Sequence, residues 1–351
     1  MYTYPGNIHI HSTYSDGSGS IDEIASAAAR AGLSYIIIAD HETLAGLPRE
    51  SYINNVLVLV GMEINREKNH YLAFGLSETI SSNDHNPQQV IDQVNRAGGL
   101  GYIAHPFERG SRYVHQGKAF PWKDWPVFGF TGLEIWNFSS HWRGLRPSLI
   151  RTFYWFFLNR KGAMKGPPRR LLYLWDCYNM HGHKTTAIGG SDAHAVKYKL
   201  LFIPLTIFTY RYLFTAINTY IVMKEPLHKE FATAKNQVFD ALRGGACFVS
   251  YDTLGKAHDF SFTASAGSRQ YLMGEEIPLD NKTSLVIKAP GKRALIRLIY
   301  NGSLLAAAKG TSFAYKPTQP GLYRAEVYHQ SMFGRIRPWI YSNPIYISNK
   351  S

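Results

Sequence analysis

From residue 7 to about 252 the chain alternates short apolar runs with amphipathic helical patterns, and this order constrains the fold more than any other feature. Runs at 7–12, 35–40, 56–64, 71–74, 100–106, 133–137, 185–192 and 247–251 read as strands of a parallel α/β architecture. Ser20 and Glu23 frame a capping box ahead of a helix over 21–31, and further helices are expected over 87–97 and 232–243, the last stopped by Gly244-Gly245. Seven or eight strands with helices between them favour a barrel over an open sheet. Beyond Asp252 the pattern changes to period-two alternation without long helices, at 259–264, 283–289, 294–300, 321–329 and 339–347. Asn301-Gly302 between two apolar runs is a hairpin signal. The expected fold is α/β: a barrel over 1–254, then a small all-β sandwich over 255–351.

Five of the apolar runs end in side chains that bind divalent metals. They are Ile8-His9-Ile10-His11 with Asp16 beyond it, Ala39-Asp40-His41, Gly61-Met62-Glu63, Ala104-His105-Pro106 and Ser191-Asp192-Ala193-His194. Residues two apart on a strand share a face, so His9 with His11, and Asp192 with His194, are placed to aim at one centre. At the C-terminal ends of parallel barrel strands such residues converge from distant positions. One histidine after an apolar run is ordinarily a hydrogen-bonded wall residue, whereas five recurrences point to a metal site. Histidine and carboxylate donors without thiolate suit Mn, Zn or Fe.

In this order the motifs His9-Ile10-His11-Ser12 with Gly17, Asp40-His41, Gly61-Met62-Glu63, Ala104-His105-Pro106 and Ser191-Asp192-Ala193-His194 resemble those of the polymerase and histidinol phosphatase (PHP) superfamily. The resemblance spans roughly residues 7–252 and implies a distorted (β/α)7 barrel with a metal cluster at its C-terminal mouth. The β-rich C-terminal region and the run from Pro338 to Pro344 are similar to a branch that includes carbamate hydrolases. Carried over by motif, the resemblance implies His9, His11, Glu63 and Asp192 on a first ion. Glu63 would bridge to a second ion held by His70 and His105, and Asp16, His41 and His194 would hold a third. His85 and His115 are alternatives for the His70 position. The implied cofactors are two or three divalent ions.

The implied reaction is hydrolysis of a phosphate ester by a hydroxide shared between two ions, with Asp192, His194 and Glu63 as the catalytic groups. Three divalent ions against three carboxylates leave about +3, or about +2 with a hydroxide, which favours an anionic substrate such as a phosphorylated metabolite, a nucleotide or an oligonucleotide end. Hydrolysis of a carbamate or carboxylic ester at the same site is the second reading. An inactive barrel that binds anions or nucleic acid is the third.

The net charge of +13 is uneven. Residues 1–108 hold 5 basic and 12 acidic side chains, whereas 109–170 hold 12 and 2, and 255–351 hold 13 and 5. The insert 109–170 also carries 14 aromatic residues, five of them tryptophan, including Phe153-Tyr154-Trp155-Phe156-Phe157. Arg109, Arg112 and Lys118 follow His105 closely and are candidate phosphate clamps. The mixture also fits a solvated face over an aromatic core, a nucleic-acid track or a peripheral contact with an anionic membrane. Glu134 and Asn137 read as either supporting groups or buried structural ones, and His181 and His183 as a helix cap or surface. Two cysteines make no disulfide framework and suit a reducing, cytoplasmic setting. The most apolar stretch, 200–208, is interrupted by Pro204 and falls short of a membrane span.

Overall fold

The structure, a computed structural model, describes residues 1–110, 118–145, 154–155, 159–200, 203–206 and 208–349. Arg112, His115 and the aromatic residues Phe153, Phe156 and Phe157 lie outside them. The fold is mixed α/β, dominated by one large sheet. Its first part contains β1 (Tyr2–Ile10), β2 (Tyr35–His41), β3 (Val56–Ile64), β4 (Tyr71–Phe74), β5 (Leu100–Ile103), β6 (Gly132–Asn137), β7 (Thr186–Gly190), β8 (Ile217–Met223) and β9 (Cys247–Tyr251). Neighbours in the sheet run β9-β8-β1-β2-β3-β4-β5-β6-β7.

The ladder is less uniform than the alternation of runs implies. β1, β2 and β3 are parallel, as are β5, β6 and β7, but β4 is antiparallel to both of its neighbours. β8 is antiparallel to β1 and β9. β2 and β3 are buried on both faces, which explains their unbroken apolar runs. One face, with Ile36, Ile38, Val58 and Val60, packs on Ile21, Ile24 and Ala28 of helix α1 (Ile21–Ala31). The other, with Ile37, Leu57 and Leu59, packs on Val238, Phe239 and Leu242 of a later helix, Phe231–Arg243.

The sheet curls until β7 meets β1. Ala193, just past β7, forms a parallel bridge with Ile10, and His11 N donates to Ala193 O at 2.9 Å. Thr219 of β8 accepts from Gly189 N at 2.9 Å and donates to Gly189 O at 2.7 Å. The approach demands glycine, since a Cβ on Gly190 would lie 2.2 Å from Ile8 O.

Helix α1 follows its capping signals: Ser20 Oγ accepts from Glu23 N, and the Glu23 carboxylate accepts from Ser20 N at 2.8 Å. Ser20→Ala is expected to cost about 1 kcal/mol, measurable by urea melts.

Residue 254 does not break the sheet. β9 pairs with Ile336–Ser342, and Gly321–Gln330, Ile345–Ser348 and Glu276–Pro278 extend it. A second, four-stranded antiparallel sheet joins Arg269–Tyr271, Ser261–Ala266, Ser284–Lys288 and Ser312–Tyr315. Phe262, Leu285 and Ile287 share a core with Ile296, Leu298, Val327 and Ile340, and with Tyr220 and Phe248 of β8 and β9. The expected hairpin is present, with Asn301 and Gly302 at positive φ and Tyr300 opposite Ser303.

Candidate metal centre

All nine residues expected as ligands gather where β1, β2, β3, β5 and β7 end. Strand alternation alone does not aim them. The β1–β2 register shifts between Ile8 and Ile10, and His9 at that bulge has φ +70°. Asp192 and His105 are also left-handed, at +50° and +27°. Non-glycine residues in this region cost about 1–3 kcal/mol each and cluster at functional sites. β7 stops at Gly190, so Asp192 and His194 lie on a loop, which Ser139 Oγ pins by donating to Asp192 O at 2.8 Å.

Glu63 is the hub. Its Oε2 lies 3.1 Å from His9 Nε2, 3.3 Å from His11 Nε2 and 3.4 Å from His41 Nδ1. Its Oε1 lies 2.6 Å from His70 Nδ1 and 3.4 Å from His105 Nε2. Asp192 Oδ1 is 3.6 Å from His9 Nε2, 3.5 Å from His11 Nε2 and 3.4 Å from His194 Nδ1. Asp16 stands 3.5 Å from His11, 3.8 Å from His41 and 3.3 Å from His194. Four donor groups result, each with its atoms within 4.8 Å of one another: His9, Glu63 and His105; His9, His11 and Asp192; His41, Glu63 and His70; and His11, Asp16, His41 and His194. His70 takes the position for which His85 was an alternative, and His85 is exposed.

These donors fit divalent ions. Ligands about 2.1 Å from a tetrahedral metal stand about 3.4 Å apart, close to most of the separations above. Among the described residues, the buried ring nitrogen His70 Nε2 has no hydrogen-bond partner, which is costly unless a cation uses it. Burial pushes the His41 ring down to about 4, leaving it in the neutral form that ligates. Burial also opposes charge on His11, yet the adjacent Asp192 and Glu63 carboxylates overcome it and raise the ring to about 10. Burial would raise Glu63, but the surrounding histidines hold it well below the usual carboxylate range. The pocket thus keeps its carboxylates ionised and draws positive charge to them.

The supporting groups were only partly legible. Glu134 Oε1 lies 3.1 Å from His9 Nδ1, while its Oε2 accepts from His105 N at 3.0 Å and from Asn137 Nδ2 at 2.9 Å, so both residues orient ligands. Asp40 accepts from Ser12 N, Ser12 Oγ and Ser15 Oγ at 2.7, 2.6 and 2.5 Å, and so shapes the loop that carries Asp16. Glu108 and Arg143 had no motif to mark them. Glu108 lies 3.3 Å from His105 Nδ1 and 2.8 Å from Arg143 Nη2, and the same Nη2 is 3.7 Å from Asp192. Among the described residues of the insert, Arg143 is therefore a basic side chain that reaches the centre. Lys118 is exposed and sits over the Phe120 ring, which packs on His70 at 4.9 Å. Exposed Arg109 lines a cavity of about 370 Å³ that begins at His105 and Glu134 and is also bordered by Lys165, Arg170, Leu145 and Leu171. His181 caps a helix end, its Nδ1 2.7 Å from Cys177 O.

Residues 7–113 match the family model of the PHP domain. Asp192 and His194 lie beyond the matched segment, and the fold returns them to it. No curated protein matches the chain. Among solved structures, a two-domain protein of Bacteroides vulgatus ATCC 8482, described as containing a predicted PHP-like metal-dependent phosphoesterase, is 15% identical with a TM-score of 0.42, covering 97% of this chain and 95% of its own. An amidohydrolase from Chromobacterium violaceum, with bound sulfate and no metal, is 15% identical with a TM-score of 0.33, covering 54% of this chain and 87% of its own. Among the described residues, no helix is long and apolar enough to cross a membrane.

Proposed function

We propose that the protein is a metal-dependent hydrolase of phosphate esters. The observation that carries this reading is an arginine set against the histidine and carboxylate cluster: Arg143 Nη2 lies 3.7 Å from Asp192. Among the described residues its buried Nε has no hydrogen-bond partner, which leaves the guanidinium a donor for an anion. His9, His11, Glu63 and Asp192 would hold one divalent ion, Glu63, His70 and His105 a second, and Asp16, His41 and His194 a third, with Mn, Zn or Fe as the candidates. Bound there, such ions supply Lewis acidity and activate water near neutral pH.

The chain's own residues do the rest. Arg143, fixed by Glu108, neutralises and orients the phosphoryl group. His194, about 20% exposed, is the group we assign to protonate the leaving group. Glu134 and Asn137 hold His9. The leaving group occupies the cavity beside His105, where Arg109, Lys165 and Arg170 favour acidic substrates such as nucleotides or phosphorylated metabolites. In this reading the curled sheet is a distorted (β/α)7 barrel over residues 1–254 with the cluster at its mouth, and residues 255–351 form a β-sandwich attached to it. The apolar wall of Leu145, Pro167, Pro168 and Leu171 favours a second reading, a carbamate or carboxylic ester hydrolase.

Parallel assays on p-nitrophenyl phosphate, bis-p-nitrophenyl phosphate and a naphthyl carbamate, each with Mn, Zn and Fe, separate the two. Turnover of a phosphate ester is expected, with Arg143→Met lowering its kcat/KM about 10–100-fold, the value of a charged hydrogen bond. Turnover of the carbamate alone would establish the second reading.

A further inference from the structure

Far along the chain from the metal ligands, strands Gly321–Gln330 and Ile336–Ser342 are joined by a tight turn. Ser331 N donates to Arg335 O at 2.9 Å, and Gly334, at φ +74°, donates to Ser331 O at 3.0 Å. The turn thrusts out Met332 and Phe333, 78% and 93% exposed, the two most exposed large apolar side chains among the described residues. Ile336 beside them is also exposed.

Basic residues collar this tip. Gln330 N donates to Arg293 O at 2.9 Å and Gly310 N to Ala294 O at 3.0 Å, which brings residues 290–293 and 309–311 to the same end of the sheet. Together with 329–337 these segments contain Lys292, Arg293, Lys309, Arg335 and Arg337, and no aspartate or glutamate. All but Arg337 of these five are exposed. Apolar residues at the apex with cations behind them match the cross-section of an anionic bilayer surface, where the apex enters the acyl boundary and the cations meet the headgroups.

We infer that the Ser331–Arg335 turn is a wedge that docks the protein on an anionic lipid surface. Other occupants fit less well. The Ser331–Arg335 turn offers one aromatic ring, Phe333, whereas a nucleic-acid track needs successive stacking platforms. Two side chains cover only a small part of the roughly 800 Å² per partner of a stable protein interface.

The test is sedimentation of the full chain with phosphatidylcholine vesicles, and with vesicles in which about a third of the lipid is phosphatidylserine. Binding is expected only to the second set, weakening at high salt. M332S/F333S should reduce it about tenfold or more with an unchanged melting temperature, since both side chains already face solvent. A second variant, K292E/R293E, should weaken it while keeping the apolar apex. Equal binding to both vesicle types, or binding that neither variant alters, would overturn the inference. So would binding to a single-stranded oligonucleotide in place of vesicles, or a dimer that M332S/F333S dissociates.

Discussion

Glu63→Gln is expected to lower turnover of the phosphate ester by more than about 100-fold, while the chain still folds. One carboxylate faces five histidines: Oε2 approaches His9, His11 and His41, and Oε1 approaches His70 and His105. Glutamine preserves the volume, so the packing around β3 stays intact. It removes a negative charge shared by two donor groups, however, and turns an amide toward ring nitrogens that must face a cation. Losing a group that merely supports a ligand costs about 10–100-fold in metal affinity or activity, so losing this shared ligand should exceed that range. Glu134→Gln is the calibration: it touches His9 from behind, and its effect should fall inside the range. If the two variants proved equally mild, Glu63 would not be the hub of the site.

The largest expected effect on stability lies elsewhere. Arg324, buried in the strand Gly321–Gln330, makes a bidentate pair with Asp176, its Nε and Nη2 donating to the two carboxylate oxygens at 2.8 Å each. Its Nη1 donates to Glu326 at 2.6 Å, and its guanidinium lies over the Trp175 ring. Asp176 belongs to the helix Arg169–Met180, so the pair ties that helix to the C-terminal strands. Asp176→Ala leaves buried Arg324 with Glu326 as its remaining carboxylate partner and is expected to cost about 3 kcal/mol, the lower end for breaking a buried pair. For a chain of this size that is a fall of roughly 4 °C in Tm. Replacing Asp176, Arg324 and Glu326 together by apolar residues of similar volume should recover most of the loss, because the desolvation of all three charges is then avoided. Thermal melts of the single and triple variants read both outcomes.

How far these features could be seen in advance depended on how local their causes are. The α1 boundaries follow from Ser20 and Glu23, and the hairpin from Asn301-Gly302; each rests on chemistry within a few residues. Seven of the nine ligand positions lie at or just past the ends of apolar runs, whereas Asp16 and His70 were expected only through the family resemblance. Their convergence was expected from strand alternation, yet it depends on a bulge at His9 and left-handed backbones at His105 and Asp192, which no local pattern announces. β8 escaped notice because Asn218 and Thr219 interrupt its apolar character. Both are buried and satisfied at a distance, Thr219 by Gly189 and Asn218 by Asn7 and Asp252. Arg143 looked like one of 12 basic residues in the insert, and only the fold distinguishes it by bringing it to Asp192. The pairing of β9 with Ile336–Ser342 joins residues about 90 apart, beyond any periodicity in the sequence.

The central claim is that these nine side chains are a metal centre. Elemental analysis of the purified chain after reconstitution with Mn, Zn or Fe and removal of free metal tests it most directly. Two or three equivalents per chain are predicted, falling when Asp192→Ala and His11→Ala are introduced; less than one equivalent in the unaltered protein would contradict the account.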